Sequence, residues 1–578
     1  MKNTLFFTTL FLLQQMVISA QGKYDYVWPL GFGDYSDSPS GFDFGGCLMN
    51  FDTTPPSITL QNYWGDIPLS AISDKKGNLV AYTDGCRVMN GEHKIMVNGD
   101  TLNPGVLYNE ACSQFGYPLW QPCIFLPSPA SDSFYYLFHI RADDYLWNPM
   151  NLMYSVIDIR EDQGNGAVIS KNNVIFSDSI YLGQYVSATR HANGRDWWLI
   201  NPTRLYYGFH VTLLSADGVL YKGLQVFDLP IIDSTCCYSQ NAFSPDGSKY
   251  FRNSVEGLVI LNFDRCTGVL SNPASFDWDS LPYAGGGVAV SPNNQWLYLS
   301  SGSITRQYDL YATDIVASMQ VVAEYDGFQS PFPTGMFQMR EGPDGKFYIV
   351  PTSESTVLHV IHNPNAPGLA CNLEQHGVTL PTRTGFLALN FPNYRLGPLD
   401  GSSCDTLGLN NLPVARFQWH IQDSLFPAQI AFYDYSYYEP ATWYWDFGDG
   451  TSSQDTSPVH LFPAPGTYSV CLTVCNEYAC DTLCRKVTVG VSGTTETAAA
   501  PPGYQIYPNP TATSFTLRKT SGFFTGGEPV VLYNSTGQVL ATRQPVRGDT
   551  SLVFGVESYP PGVYWLRVEG VVIMVLRY

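Results

Sequence analysis

The sequence predicts an all-β protein: an N-terminal β-propeller of six or seven blades, then two small β-sandwiches. Three observations carry this. Tyr (38) and Phe (33) each outnumber Lys and Arg combined (30), and aromatic residues favour strands. Gly (51) and Pro (40) interrupt the chain too often for long helices. A unit of turn, aromatic strand and second strand recurs along the first two thirds.

The recurring turns are Ser73-Asp74-Lys75-Lys76-Gly77, Ser131-Asp132-Ser133, Ala192-Asn193-Gly194-Arg195, Ser244-Pro245-Asp246-Gly247, Ser291-Pro292-Asn293-Asn294 and Gly342-Pro343-Asp344-Gly345. Each is followed by a strand such as Phe134-Tyr135-Tyr136-Leu137-Phe138 or Lys346-Phe347-Tyr348-Ile349-Val350. Pro245 to Pro292 is 47 residues and Pro292 to Pro343 is 51. A period near 50 made of turns and short strands is the signature of propeller blades, which bury their faces only against neighbours. Six units are visible. A seventh could join Tyr24–Phe51 to Asn390–Leu396, closing the ring with strands from both ends. The rival architecture is a pair of large β-sandwiches.

Residues 1–20 read as a signal peptide: Lys2, an apolar stretch Thr4–Leu13, and a small-residue site Ile18-Ser19-Ala20 before Gln21. No other run reaches the roughly 18 apolar residues of a membrane-spanning helix, so no transmembrane segment is expected. The net charge of −20 argues against nucleic-acid partners and against charge-driven docking on an anionic membrane. An exported chain can form disulfides, and 13 cysteines leave at least one unpaired within the chain. No CxxC…CxxC metal spacing exists, and Cys236-Cys237 are adjacent.

The organisation read from the chain is signal peptide 1–20, propeller-like repeats 24–400, a Gly/Ser/Leu linker 401–411, a small sandwich 412–490, a Ser/Thr/Ala/Pro-rich linker 491–503, and a C-terminal module 504–578. The repeats resemble those of secreted Bacteroidota proteins. The sandwich carries Trp443-Tyr444-Trp445-Asp446-Phe447-Gly448-Asp449-Gly450-Thr451 and Pro465-Gly466-Thr467-Tyr468-Ser469-Val470. It resembles a PKD (polycystic kidney disease) domain, an immunoglobulin-like sandwich. Asp446 and Asp449 could hold calcium. The simpler reading is a turn whose carboxylates cap backbone N–H groups, so no cofactor is assigned.

The tail shows Tyr507-Pro508-Asn509-Pro510, then Val531-Leu532-Tyr533-Asn534-Ser535-Thr536-Gly537-Gln538-Val539-Leu540, then Pro560-Pro561-Gly562-Val563-Tyr564-Trp565-Leu566-Arg567-Val568. In that order these marks resemble the type IX secretion C-terminal sorting domain. The resemblance implies type IX secretion machinery as partner and a secreted or outer-membrane-surface location. It also implies removal of the tail after passage. Members often end in a basic residue, whereas this chain ends Arg577-Tyr578.

Taking Asn476–Ala479 as a four-residue hairpin loop sets Cys475 opposite Cys480, Thr473 opposite Thr482, and Cys471 opposite Cys484. Tyr468, Val470, Leu472 and Val474 then take the core face. Facing residues lie within disulfide reach, so bridges Cys471–Cys484 and Cys475–Cys480 are expected on the outer face.

No G-x-S-x-G, H-E-x-x-H, P-loop or G-x-G-x-x-G occurs, and no catalytic residue is assigned. His359 and His362, three apart on a strand, would face opposite sides. Carboxylate pairs such as Asp143-Asp144 and Asp277/Asp279 are expected by chance among 50 acidic residues. Tyr145, Trp147, Trp197, Trp198, Tyr206 and Tyr207 lie in or beside the least regular units and could stack on sugars or pack between blades. Tyr145, Trp147, Tyr206 and Tyr207 are the candidate ligand-binding residues. The function expected is non-catalytic binding or adhesion to a glycan or protein, with the PKD domain as spacer or auxiliary module. The alternative is a secreted polysaccharide- or protein-degrading enzyme with its active site in the propeller channel. Clustered carboxylates or histidines in the channel mouth would favour the enzyme. A lining of backbone, Ser/Thr and aromatics would favour binding.

Overall fold

The computed structural model describes residues 22–32, 45–61, 67–112, 116–142, 149–178, 182–204, 208–229, 239–254, 257–277, 286–421, 428–438, 440–489, 503–507, 511, 513–520, 522–524, 526–534, 538–560, 562–569 and 571–577. The signal peptide, the 491–502 stretch, and Tyr145, Trp147, Tyr206 and Tyr207 lie outside the described residues. So do Cys236, Cys237, Asp143, Asp144 and Asp279. Contacts divide the chain into two units, 1–412 and 413–578.

The first unit is a seven-bladed propeller. Blades one to six are successive antiparallel meanders at 70–90, 123–177, 187–226, 241–277, 288–324 and 336–384, and blade seven is 27–61. Five blades have four strands; blades one and seven have three. The innermost strands of blades one to six lie side by side about the axis: Ser70–Ser73, Cys123–Pro127, Ser187–Arg190, Asn241–Phe243, Val288–Val290 and Met336–Glu341. Strands buried on both faces need no polar alternation. Accordingly Cys123–Pro127, Trp197–Pro202, Trp296–Ser300 and Phe347–Pro351 are buried throughout. The outer strand Gly218–Val226 alternates instead.

The repeated turns join each inner strand to the next. Asp74 Oδ1 accepts the N–H groups of Lys76 and Asn78 at 2.8 and 2.9 Å. Asp246 Oδ1 likewise accepts that of Ser248 at 3.0 Å. Gly247 supplies the left-handed backbone, φ +70°, and a Cβ there would sit 2.5 Å from Thr189 Oγ1. The Asp-Gly pairs are thus fixed by turn chemistry.

Ring closure differs from the expected sharing of strands between both ends. Blade seven is wholly N-terminal, and residues 385–399 return without forming a strand. Gly385 N–H donates to Gly31 C=O at 3.2 Å, and the chain then enters the axis. Five of its peptide carbonyls are held by three arginines rather than by a ladder (below).

Trp197 and Trp198 are core residues. Arg190 stacks 3.6 Å from the Trp197 ring, and Trp198 Nε1 donates to Arg265 C=O at 2.7 Å. Both rings are buried, which removes them as sugar platforms. The one α-helix among the described residues is Val106–Ala111, beside the Cys86–Cys112 disulfide.

In the second unit, residues 417–489 form two facing sheets of three and four strands around Phe417, Phe432, Trp445, Phe447, Val470, Leu472 and Val474. Trp445 and Phe447 both enter this core, as their spacing of two requires. The strand Gly466–Cys475 pairs with Cys480–Val489 so that Cys471 faces Cys484, Thr473 faces Thr482 and Cys475 faces Cys480. Disulfides join both cysteine pairs. Residues 504–577 form a second pair of sheets, of three and four strands, around Phe515, Leu517, Leu532, Phe554 and Leu566.

Candidate functional site

The axis of the propeller is filled by side-chain amides. A carboxamide carries a donor and an acceptor side by side, so it can pair with a peptide group as a strand would. Gln121 Oε1 accepts Asn241 N–H at 3.0 Å, and its Nε2 donates to Asn241 C=O at 3.2 Å. Gln240 pairs in the same way with Met339, at 3.0 and 2.7 Å. Gln338 joins Ser239 C=O to Ala388 N–H at 3.0 and 2.9 Å. Asn390 completes the set. Its Nδ2 donates to Cys123 and Val186 C=O at 2.9 and 2.8 Å, its Oδ1 accepts Gln121 Nε2 at 2.8 Å, and its N–H reaches Leu69 C=O at 2.9 Å. One side chain and its backbone thus tie blades one, two and three together.

At the end of the ring bearing the Asp-Gly turns, a recess of about 90 Å³ remains, lined by Asp25, Ser187, Thr189, Asn241, Arg340 and Asn390 among others. That is room for about three waters, far below the roughly 300 Å³ at which ligand pockets begin. Its charges are already committed. Asp25 receives both Arg395 Nη groups at 2.7 and 2.6 Å. Arg340 donates to Leu389 and Phe391 C=O at 2.9 and 3.0 Å, and burial pushes its guanidinium down to about 10, still protonated at neutral pH. These groups hold the returning segment of the chain at Leu389, Phe391 and Arg395.

His139 Nε2 lies 3.0 Å from Ser155 Oγ, and its Nδ1 2.6 Å from Asn103 Oδ1. This has the order of a nucleophile, base and orienting amide. All three are fully buried, however, and burial pushes His139 down to about 3. A base must reach its substrate, so the trio is a core network. His359 is buried with Nε2 2.7 Å from Thr334 C=O, whereas His362 meets Glu374 at 2.7 Å on the opposite face. No cluster of three or more His, Cys, Asp or Glu suited to a metal occurs among the described residues. In the sandwich, Asp446 Oδ1 accepts Gly448 N–H at 2.9 Å. Asp449 Oδ1 accepts Thr451 N–H at 2.9 Å, and its Oδ2 lies 2.8 Å from His460 Nε2. These carboxylates serve the turn.

The opposite end of the ring carries the connections between second and third strands and those leading into each next blade, as a meander requires. Tyr145, Trp147, Tyr206 and Tyr207 lie outside the described residues; the strands flanking them in sequence are Phe134–Ala142 and Pro149–Asp158, and Trp197–Pro202 and Gly208–Ser215. Ala142, at the end of the first of these strands, is anchored through its N–H and C=O to Tyr117 Oη at 2.8 and 3.0 Å. Sequence reasoning missed other aromatics here. Trp120, half-buried, meets Phe386 and Phe337 at 5.7 and 5.9 Å. Phe328 lies on His376 at 4.2 Å, and Arg383 lies 5.8 Å from the Phe332 ring. Phe328 and Phe332 stay 44% and 45% exposed on a loop braced by Asp326, Tyr325 and Thr334. The available signal was Phe328-Gln329-Ser330-Pro331-Phe332-Pro333, two phenylalanines in a turn rather than in an alternating strand.

This architecture defines a multidomain all-β protein: a seven-bladed propeller followed by two sandwiches. Residues 413–491 match the PKD domain family, and residues 505–573 match the secretion system C-terminal sorting domain. The type IX sorting domain directs the chain to the extracellular space or outer-membrane surface. No helix among the described residues is long and apolar enough to cross a membrane. Among solved structures, the PKD1 domain of Vibrio anguillarum Epp is 32% identical, covering 14% of this chain and 99% of that one, TM-score 0.13. A proposed 6-phosphogluconolactonase from Bacteroides fragilis is 12% identical, covering 62% and 97%, TM-score 0.38. The Dos1 propeller is 9% identical, covering 63% and 86%, TM-score 0.36. No curated protein matches the chain.

Proposed function

We propose that this is a binding or adhesion protein whose propeller presents a ligand surface on its loop-bearing end, without catalysis. The observation that carries the reading is the filled axis. Gln121, Gln240, Gln338 and Asn390 occupy the place where a channel active site would need open space. Exposed rings at the loop end supply broad, rigid apolar contacts for a glycan or protein: Phe328 and Phe332, with Tyr145, Trp147, Tyr206 and Tyr207 as further candidates. The PKD domain, residues 412–490, acts as spacer or auxiliary binding module. The segment 504–578 serves export and is removed afterwards.

The test is to offer the purified protein a panel of polysaccharides and matrix proteins. The reading expects saturable binding without turnover, weakened at least fivefold by Phe332→Ala or Trp147→Ala. Turnover of any panel member, abolished by changing one acidic residue to its amide, would establish an enzyme instead.

A further inference from the structure

We propose that residues 385–411 form a strap that completes the propeller, and that the Cys266–Cys404 disulfide is its latch, so that the outer end of the strap is fixed only after the chain reaches an oxidising compartment.

The strap does the work that a shared closing strand would otherwise do. Blade seven contains no strand from the C-terminal side of the domain. Besides its direct contacts with the last strand of blade six and the first of blade one, it is joined to the strap through Gly31–Gly385 and Asp25–Arg395. Arginines from three blades grip the strap by its carbonyls. Arg340 of blade six takes Leu389 and Phe391, Arg190 of blade three takes Tyr394 and Leu396 at 3.2 and 3.3 Å, and Arg265 of blade four takes Gly397. Tyr394 is fully buried, with its hydroxyl donating to Phe125 C=O at 2.7 Å and its ring 5.8 Å from Trp197. This inner part is therefore a permanent piece of the core.

The outer part is held differently. Beyond Pro398 the residues become exposed, and the backbone anchor is Leu399 N–H to Ala192 C=O at 2.8 Å. Cys404 is then bonded to Cys266, on the turn next to Arg265. The disulfide fixes the one stretch of strap that packing does not. It also encloses the longest loop of the four bridges, 138 residues against 26, 13 and 5. Closing a longer loop constrains the unfolded chain more. Both of its cysteines are half-buried and within reach of solvent thiols, whereas Cys86 and Cys112 are buried. Disulfides persist outside the reducing cytoplasm, and this chain is secreted. Export and latching therefore coincide.

The test uses the full chain and hydrogen exchange. The Cys266→Ser/Cys404→Ser variant is compared with the native protein, and the folded native protein is compared before and after mild reduction. The second comparison needs no refolding and stands even if the variant expresses poorly. The expected result in either comparison is exchange at least tenfold faster at 398–411, with unchanged protection at Cys123–Pro127 and Met336–Glu341. Cys471→Ser/Cys484→Ser should leave 398–411 unaffected. Protection at 398–411 within twofold of native after reduction would overturn the latch. Loss of protection across the whole ring would also overturn it, because the bridge would then hold the fold rather than the strap end.

Discussion

Asp25 and Arg395, 370 positions apart, meet in a buried two-pronged ion pair at 2.6 and 2.7 Å that joins the two ends of the propeller chain. Removing one member of such a pair strands a charge away from water, which typically costs about 3–5 kcal/mol. Asp25→Asn and Arg395→Gln should each lower the unfolding free energy obtained from urea titration by an amount of that order. The double variant should recover part of the loss. A strictly additive cycle would show that the pair contributes nothing of its own.

Asn390→Ala should destabilise the ring by roughly 2–4 kcal/mol. It removes the bonds of Asn390 to the buried Cys123 and Val186 carbonyls and to the Gln121 amide. Asn390→Asp retains the shape but offers two acceptors to those carbonyls, so it should be at least as damaging. Thermal unfolding of the three proteins side by side checks the order.

Stability should fall with acid before the carboxylates titrate. Burial lowers His139 from 6.5 to about 3 and His359 from 6.5 to about 4. Between those values and 6.5 the unfolded chain binds protons that the folded chain refuses, so stability is complete above 6.5 and is lost as the pH drops. Each tenfold change in proton affinity is worth about 1.4 kcal/mol. Chemical denaturation at pH 7.5 and 4.5 should show a loss of several kcal/mol. His139→Gln should be less stable at pH 7.5 but lose less on acidification.

The two hairpin bridges should differ in weight. Loop-closure entropy assigns on the order of 3 kcal/mol to the bridge spanning 13 positions and 2 kcal/mol to that spanning 5. Cys471→Ser/Cys484→Ser should therefore lower the unfolding midpoint of the sandwich more than Cys475→Ser/Cys480→Ser. Fluorescence of the buried Trp445 reports that transition.

Much of the ring was legible because its signals are local. A capping Asp, Asn or Ser recurs where an inner strand turns back, and five of the six turns read from the chain also carry a Gly or Asn at positive φ: Gly77, Gly194, Gly247, Asn294 and Gly345. The hairpin cysteines were legible for the same reason: one loop length fixes every pairing beyond it. The axis was not. Gln121, Gln240 and Gln338 look like surface residues in sequence, and their meaning depends on backbones about 50 to 120 positions away. One trace exists in hindsight. Gln240 and Gln338 each precede the proline of a Pro-Asp-Gly turn by five residues, and Gly287 holds the same place before Pro292. A Cβ at Gly287 would lie 2.5 Å from Phe337 C=O, so the glycine in that series marks close approach. The exposed Phe328 and Phe332 went unread because tertiary braces, not periodicity, hold them outward.

The arrangement at Asn390 bears on how this protein can be cut. The last strand of the ring ends at Thr384, and a truncation placed there would retain every β-strand of the propeller. It would nonetheless delete Asn390, Tyr394 and Arg395, emptying the hub and exposing the Asp25 carboxylate to a hole. The smallest fragment able to stand alone is therefore defined by the final inward-pointing side chain. A deletion series stepping back from residue 412 should show an abrupt loss of soluble product between 399 and 389.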